Sequence, residues 1–287
     1  MQETGKADFR RKPDWLKIRL PRGFKTSQVV GLLKDKGLHT ICSSGMCPNR
    51  AECWGAGTAT FMIGGNICTR ACKFCNVATG RPLPLDEKEI DDICDSVKEL
   101  GLKHVVLTSV DRDDLPDLGA GHWVKLVNAL RERCKGVTME TLIPDFQGRE
   151  ELLDMLIEAA PEIISHNLET VERLTPNVRS VATYRCSLKV LKYLSDHGVK
   201  TKSGIMLGLG ETDDEIFATM DDLLETGCRI MTIGQYLQPT KQHYPIQAYI
   251  NPEKFEEYGR IGKMKGFRHI ESSPMVRSSY HAEKHLH

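Results

Sequence analysis

Charge of one sign is missing from this chain: Lys+Arg and Asp+Glu both number 39, so the formal net charge is zero. A neutral total can still hide a local basic patch, but it lends no support to a protein that tracks a phosphate backbone, so no nucleic-acid partner is expected. Long apolar runs are missing too. The charge-free stretch 53–69 is too short and too rich in Gly and Thr to cross a bilayer, so no membrane partner is expected. The N-terminus is charged from Glu3 onward and has no apolar segment of the secretory kind. The phosphate-cradling pattern G-x4-G-K-[ST] does not occur. Neither a low-complexity segment nor an internal repeat is evident. The remaining composition, 40% hydrophobic and 27% charged, is that of a globular protein. The length suits one large α/β domain with an extension, or two small domains.

Cysteine is plentiful. Ten cysteines without an export signal imply a reducing compartment, the cytoplasm, and argue against disulfides. Six of them form two tight groups. Cys68, Cys72 and Cys75 stand as C-x3-C-x2-C in Cys-Thr-Arg-Ala-Cys-Lys-Phe-Cys. Cys42, Cys47 and Cys53 stand as C-x4-C-x5-C just upstream. Structural zinc favours four ligands built on C-x2-C knuckles, often with His. Neither triplet repeats a knuckle, and His39 is the only His nearby. An iron–sulfur cube has four corners, so three thiolates leave one iron open to another ligand. Two iron–sulfur clusters are therefore the sharper reading. Cys94, Cys134, Cys186 and Cys228 fall in or beside regular elements and are expected to be buried and inert.

Residues 1–25, with Pro13 and Pro21, read as an extended arm. Its basic residues Arg10, Arg11, Lys12 and Lys17 are a candidate docking site for an acidic partner. A helix is expected from Thr26 or Ser27 to Gly37. From residue 58 strands and helices alternate. Strands are expected at 58–63, 104–109, 137–142, 163–168, 200–207 and 229–235. Helices are expected after Asp86 up to Gly101, and at 123–130, 150–159, 185–196 and 213–225. This rhythm predicts a parallel sheet. Six units are too few for a closed eight-stranded barrel, so an open, partial (β/α)6 barrel fits, with a doubly wound sheet as the alternative. The division is an N-terminal extension at 1–56, a barrel at 57–240 and a C-terminal extension at 241–287.

In parallel α/β folds ligands sit at the C-terminal ends of the strands. Thr108, Ser109, Asp111, Glu140, Asn167, Glu169, Gln235 and Tyr236 are the polar candidates there. Gly204 and Gly208, flanking Met206 in Gly204-Ile-Met-Leu-Gly208-Leu-Gly-Glu211, would let the backbone approach a flat ligand closely. The segment Arg277-Ser-Ser-Tyr280 and the terminal His281, His285 and His287 read as an exposed tail on chemistry alone.

The C-x3-C-x2-C triplet, with an aromatic before its last Cys, resembles the signature of radical S-adenosylmethionine (SAM) enzymes. The whole chain from about residue 40 resembles the lipoyl synthases. The resemblance is carried by both cysteine sets, Gly57-Thr-Ala-Thr-Phe-Met-Ile-Gly-Gly65, Ser165-His-Asn-Leu-Glu-Thr170, Gly204–Glu211 and Arg277-Ser-Ser-Tyr280. It implies two [4Fe–4S] clusters and SAM as cofactors. Cys68, Cys72 and Cys75 would hold the SAM-cleaving cluster. Cys42, Cys47 and Cys53 would hold an auxiliary cluster that donates sulfur, with Ser279 on its fourth iron. Asn167 and Glu169 match a ribose-contacting motif, Gly204, Met206 and Gly208 the adenine side, and Arg185 a partner for the SAM carboxylate. The implied substrate is an octanoyl chain on a lysine of a lipoyl domain or of the glycine cleavage H-protein, with sulfur inserted at C6 and C8. Reduced ferredoxin or flavodoxin is the implied electron donor. The tail bearing Ser279 is expected to fold back over the barrel. A biotin synthase is disfavoured by auxiliary cysteines that precede the SAM motif, an RNA methylthiotransferase by the neutral charge, and a small ferredoxin-like carrier by the extra β/α domain.

Overall fold

A computed structural model of the chain describes residues 12–16, 31, 36–44, 47, 49, 53 and 60–286. The helix expected at 26–37 lies almost wholly outside the described residues, as do Arg10, Arg11 and Lys17. Within the expected extended arm, Asp14–Leu16 forms a 3-10 turn and Leu16 is buried.

All six expected strands form, and they pair in chain order. After β1 (His39–Thr40) come β2 (Thr60–Ile63), β3 (His104–Ser109), β4 (Thr138–Leu142), β5 (Ile163–Ser165), β6 (Thr201–Leu207), β7 (Ile230–Gln235) and β8 (His269–Ser272). β2 through β8 are parallel to their neighbours, and β1 runs antiparallel to β2. Two strands are additions to the sequence expectation. β1 comes from the N-terminal extension and β8 from the C-terminal one, so both extensions join the sheet of the barrel.

The connecting helices are α1 (Lys88–Glu99), α2 (Ala120–Arg133), α3 (Glu150–Ala159), α4 (Tyr184–Asp196), α5 (Asp213–Glu225) and α6 (Pro252–Lys265). A doubly wound sheet reverses its strand order and places helices on both faces. Here the order never reverses, and each helix packs on the next, as helices on one side of a sheet do. The sheet is therefore the partial barrel. Among the described residues β1 pairs only with β2 and β8 only with β7, so it stays open.

Local chemistry sets the helix ends. Thr212 and Glu215 make a reciprocal capping box at the start of α5. Gly101, at φ 60°, closes α1 with N–H bonds to Lys98 and from Leu102 to Val97. Asp86 sits one residue ahead of the Glu87 N-cap of α1 and accepts from Lys88 N at 2.9 Å. Ile90, Ile93 and Val97 turn the apolar face of α1 into the core.

The tail does more than fold over the top. At the C-terminal ends of the strands, Gln235 N donates to Pro274 O at 3.2 Å, and a Cβ at Gly234 would collide with the Val276 carbonyl. The tail then runs to the opposite end. There Ala282–Leu286 forms a 3-10 helix with His285 buried, and Lys200 Nζ, just ahead of β6, donates to Leu286 O at 2.7 Å.

Candidate active site

A cavity of about 400 Å³ opens at the C-terminal ends of the strands, and Cys68, Cys72 and Cys75 all line it. The motif loop is bracketed by a two-stranded parallel ribbon, Ile67–Cys68 with Ala78–Thr79. It is anchored by three bonds from two neighbouring segments. Lys73 N donates to Val178 O at 2.8 Å, Ala71 N to Ser180 Oγ at 3.1 Å, and Tyr244 N to Lys73 O at 2.8 Å. The Cys75 carbonyl lies 3.0 Å from His243 Nε2.

Two of the three thiols, Cys68 and Cys75, sit in surroundings that call for a cationic partner. Burial pushes Cys68 up to about 12, with the Asp111 carboxylate adding to it, and burial pushes Cys75 up to about 11. Backbone N–H groups of Arg70 and Asp111 point at Cys68 Sγ from 3.4 and 3.3 Å. Iron supplies the positive charge that thiolates need in such surroundings. Among the described residues no three His, Cys, Asp or Glu side chains converge as they would on a single metal ion. A cube instead spreads three thiolates over three irons.

Asn167 and Glu169 line the same wall. Glu169 bridges to Ile205 of β6 and holds a left-handed φ of 69°, strained for a non-glycine residue. Burial raises its carboxyl, while Arg179 and the Asn167 amide work against that rise. Asn167 Oδ1 is buried without a protein partner. It sits 3.2 Å from where a Cβ on Gly204 would be, and that Cβ would run into Thr232 Oγ1. An unpaired acceptor beside a bare glycine is a cradle for a polar, flat group, so these residues fit a nucleoside-bearing ligand. Gly204 and Met206 line the cavity, whereas Gly208 serves the turn, with its N–H held by Glu211.

The other rim candidates divide. Thr108, Ser109 and Asp111 line the cavity. Glu140 does not reach the rim: it is fully buried in the barrel, paired with Lys202 Nζ at 2.9 Å and bonded by Ser165 Oγ at 2.8 Å. Gln235 and Tyr236 touch the cavity, yet their polar ends are already engaged. Gln235 Nε2 serves the carbonyls of Leu207, Tyr236 and Ala248, and Tyr236 OH donates to Tyr244 O. Arg185 requires a correction. It points outward and grips Glu172 with two bonds of 2.7 and 2.9 Å, far more exposed than a ligand-binding arginine. The arginine on the cavity wall is Arg179, six positions earlier, whose Nη1 donates to Ser187 Oγ at 2.8 Å. Arg70, Asp145 and Lys12 also line the cavity. Sequence spacing gives no sign of the first two, because their partners come from distant loops. Cys94, Cys134 and Cys228 are buried as expected, and Cys186 is half-buried at the start of α4.

The first cysteine triplet lies beside this cavity. Cys42 is buried in the single helical turn Ile41–Ser44, and Cys47 and Cys53 are half-buried against the same apolar cluster. Cys47 N bonds to Cys42 O at 3.1 Å and Cys53 N to Asn49 O at 2.9 Å. Asn76, next to the motif, donates to Ser44 O at 2.9 Å and ties the two cysteine loops together. From the tail, Arg277 and Ser278 line the cavity, and burial lowers the Arg277 guanidinium.

A Radical SAM superfamily profile matches residues 62–223. The chain is 63% identical over 276 residues to a lipoyl synthase of Treponema denticola, covering 96% of this chain and 95% of that one. To a lipoyl synthase of Porphyromonas gingivalis it is 59% identical over 277 residues, covering 96% and 98%. Among solved structures, HydG, a maturase of the [FeFe]-hydrogenase, superposes with a TM-score of 0.59 at 12% identity over 79% of this chain and 61% of its own. Methylornithine synthase PylB superposes with 0.51 at 16% identity over 79% and 68%. These structures share the fold, and the sequence relatives go further: the chain belongs to the lipoyl synthase family of the radical SAM superfamily.

Proposed function

We propose that this sulfur-inserting enzyme works at the C-terminal end of its open barrel. Cys68, Cys72 and Cys75 hold the SAM-bound [4Fe–4S] cluster, and Cys42, Cys47 and Cys53 hold the auxiliary [4Fe–4S] cluster with Ser279. Membership of the family gives the chemistry: sulfur enters C6 and C8 of an octanoyl chain carried on a protein lysine, with SAM and [4Fe–4S] clusters as cofactors. Those C–H bonds carry no acidic proton, so the bound cofactors supply a carbon radical and sulfur, and the protein positions them.

The single observation that carries this reading is the shared cavity. It touches all three motif thiols, Asn167 with its unpaired Oδ1, and the tail residues Arg277 and Ser278. Asn167 and Glu169 are suited to hydroxyls of a ribose, and Gly204 with Met206 to the face of a purine. Arg179 replaces Arg185 as the partner for the SAM carboxylate. Phe74, Met62, Leu237 and Val276 give the cavity an apolar wall for an eight-carbon chain. Lys12 at the cavity is the described part of the basic arm proposed to meet an acidic carrier. Octanoylated lipoyl domains or the glycine cleavage H-protein are the proposed carriers. Reduced ferredoxin or flavodoxin is the proposed electron donor, and the cytoplasm the proposed location.

Anaerobic reconstitution followed by iron and sulfide counting, SAM cleavage under dithionite, and a single turnover on an octanoyl-lysine peptide test the assignment. Two clusters' worth of iron, 5′-deoxyadenosine and a lipoyl product are expected. One cluster only, or cleavage without sulfur insertion, would refute it.

A further inference from the structure

Arg70 lies between Cys68 and Cys72 and is 5% exposed. Three carboxylates from two other loops share its guanidinium. Asp113 takes Nε at 2.7 Å and Nη2 at 2.8 Å; Asp145 Oδ1 lies 2.9 Å from Nη2, and Asp111 Oδ1 3.3 Å from Nη1. Asp111 and Asp113 follow β3, and Asp145 follows β4. Gln147 Nε2 and Thr69 Oγ1 add bonds of 3.1 and 3.0 Å to Asp113. Asp111 is also the carboxylate that Cys68 Sγ faces at 3.5 Å. One buried cation thus stands among three anions against a motif cysteine.

Gathering anions beside a thiol is costly, because it disfavours the thiolate. A loop that needed only rigidity would be served by fewer charges. Reduction adds an electron to a cluster already ringed with thiolates. Anions near it oppose that electron, while a cation or an N–H···S bond favours it. Arg70 acts on both counts. Its guanidinium offsets the carboxylates, and its own backbone N–H points at Cys68 Sγ.

We propose that Arg70 is a positioning residue that, together with Asp111, Asp113 and Asp145, sets the reduction potential of the cluster on Cys68, Cys72 and Cys75. The proposal rests on that cluster assignment. The groups around a ligand commonly tune a metal centre in this way, and here the tuning charge is carried within the motif itself.

The test is an anaerobic redox titration followed by electron paramagnetic resonance. The signal that changes on adding SAM identifies the motif cluster, and iron and sulfide are counted in parallel. Arg70→Gln is expected to move the midpoint to more negative potential and Asp113→Asn to more positive potential, with Arg70→Lys near the parent. Opposite signs from the two sides of one ion cluster are what a merely loosened loop would not produce. Shifts of the same sign, or none, overturn the proposal. Should Arg70→Gln fail to load iron, Asp113→Asn and Asp145→Asn carry the test: both should move positive, and unchanged midpoints overturn it. Cys72→Ala separates the two layers. If it keeps the SAM-responsive signal, the cluster assignment fails. If it loses that signal while the Arg70 and Asp113 variants match the parent, only the tuning role fails.

Discussion

Asn49 and Met275, 226 positions apart, are joined by a hydrogen bond of 2.6 Å from Asn49 Nδ2 to the Met275 carbonyl. Asn49 is 4% exposed and sits between Cys47 and Cys53, while Met275 leads into Arg277-Ser-Ser-Tyr280. This bond is a direct strap between the first cysteine triplet and the tail proposed to complete it.

Asn49→Ala should therefore act on the auxiliary cluster before anything else. Losing the bond leaves the Met275 carbonyl short of a partner, a cost of about 1–3 kcal/mol. The expected outcome is a lower melting temperature and faster loss of auxiliary iron to a chelator, with SAM cleavage retained. Equal loss of iron from both clusters would show that the strap is not specific to the tail.

The two cysteine sets should separate functionally. Cys72→Ala is expected to abolish 5′-deoxyadenosine formation while auxiliary iron remains. Cys42→Ala is expected to keep SAM cleavage and hydrogen abstraction from the octanoyl chain, with no sulfur inserted. Mass spectrometry of the peptide beside a count of 5′-deoxyadenosine reads both. Lipoyl product from Cys42→Ala would mean that sulfur comes from elsewhere.

Arg179 and Arg185 make a paired test of the SAM carboxylate. Arg179 lines the cavity, whereas Arg185 is an exposed partner of Glu172. Arg179→Ala should weaken SAM binding by roughly tenfold or more, in line with a charge-assisted hydrogen bond of about 1.5–3 kcal/mol. Arg185→Ala should leave SAM affinity unchanged. Equilibrium dialysis with labelled SAM on the loaded protein distinguishes them, and the reverse ranking would return the role to Arg185.

The fold was legible where local chemistry decides it. α5 begins and ends as expected because Thr212 and Glu215 cap it and Gly227 follows it, and α3 matches because Pro161 stops it. α6 had comparable signals, Asn251 with Pro252 at its start and Gly266 past its end, yet they fall in a region read only as an extension. β8 is four residues with three polar ones, too short to show a period. In the site, cysteine spacing pointed to the loop that lines the cavity, because a cluster constrains spacing. Rim residues were harder. Glu140 has the same residue type as a catalytic acid, and only the fold reveals that Lys202 neutralises it inside the barrel. Arg70 drew no notice in the sequence because its three carboxylates lie in other loops.

His166 predicts an acid limb in stability. Its ring is buried, with Nδ1 2.9 Å from Ile143 O and Nε2 2.9 Å from Ser187 Oγ. Burial, with Arg179 nearby, pushes it down from 6.5 to about 4. The folded state therefore keeps the ring neutral where the unfolded chain protonates it. Stability from this site is complete above pH 6.5 and falls as the pH drops from 6.5 toward about 4, by roughly 3 kcal/mol at most. Urea unfolding of the cluster-free protein across that range should show the slope. His166→Gln should be less stable at pH 7 but flatter toward acid, and an unchanged slope would assign the acid limb to other groups.

Ser279 carries the last prediction. Tyr280 N donates to Arg277 O at 2.9 Å, so Ser278 and Ser279 are the two central residues of a tight turn. Ser278 lines the cavity and Ser279 does not, while Arg277 beside them donates from Nη1 to the Pro274 and Val276 carbonyls, at 3.3 and 2.6 Å. Ser279 is the hydroxyl proposed for the auxiliary side. A serine oxygen is harder than a thiolate and holds iron less firmly, which suits a cluster that must give up sulfur. Ser279→Cys should yield a more robust auxiliary cluster with slower or absent sulfur transfer. Ser279→Ala should leave an open iron and a labile cluster. Ser278→Ala should retain auxiliary iron, with any loss confined to substrate or SAM binding. Iron retention after chelator challenge, read beside lipoyl product, decides among them. Full product and iron in Ser279→Ala, with both lost in Ser278→Ala, would make Ser278 the ligand. Full product and iron in both variants would mean that the tail closes the site, shielding radical chemistry from water, without supplying a ligand.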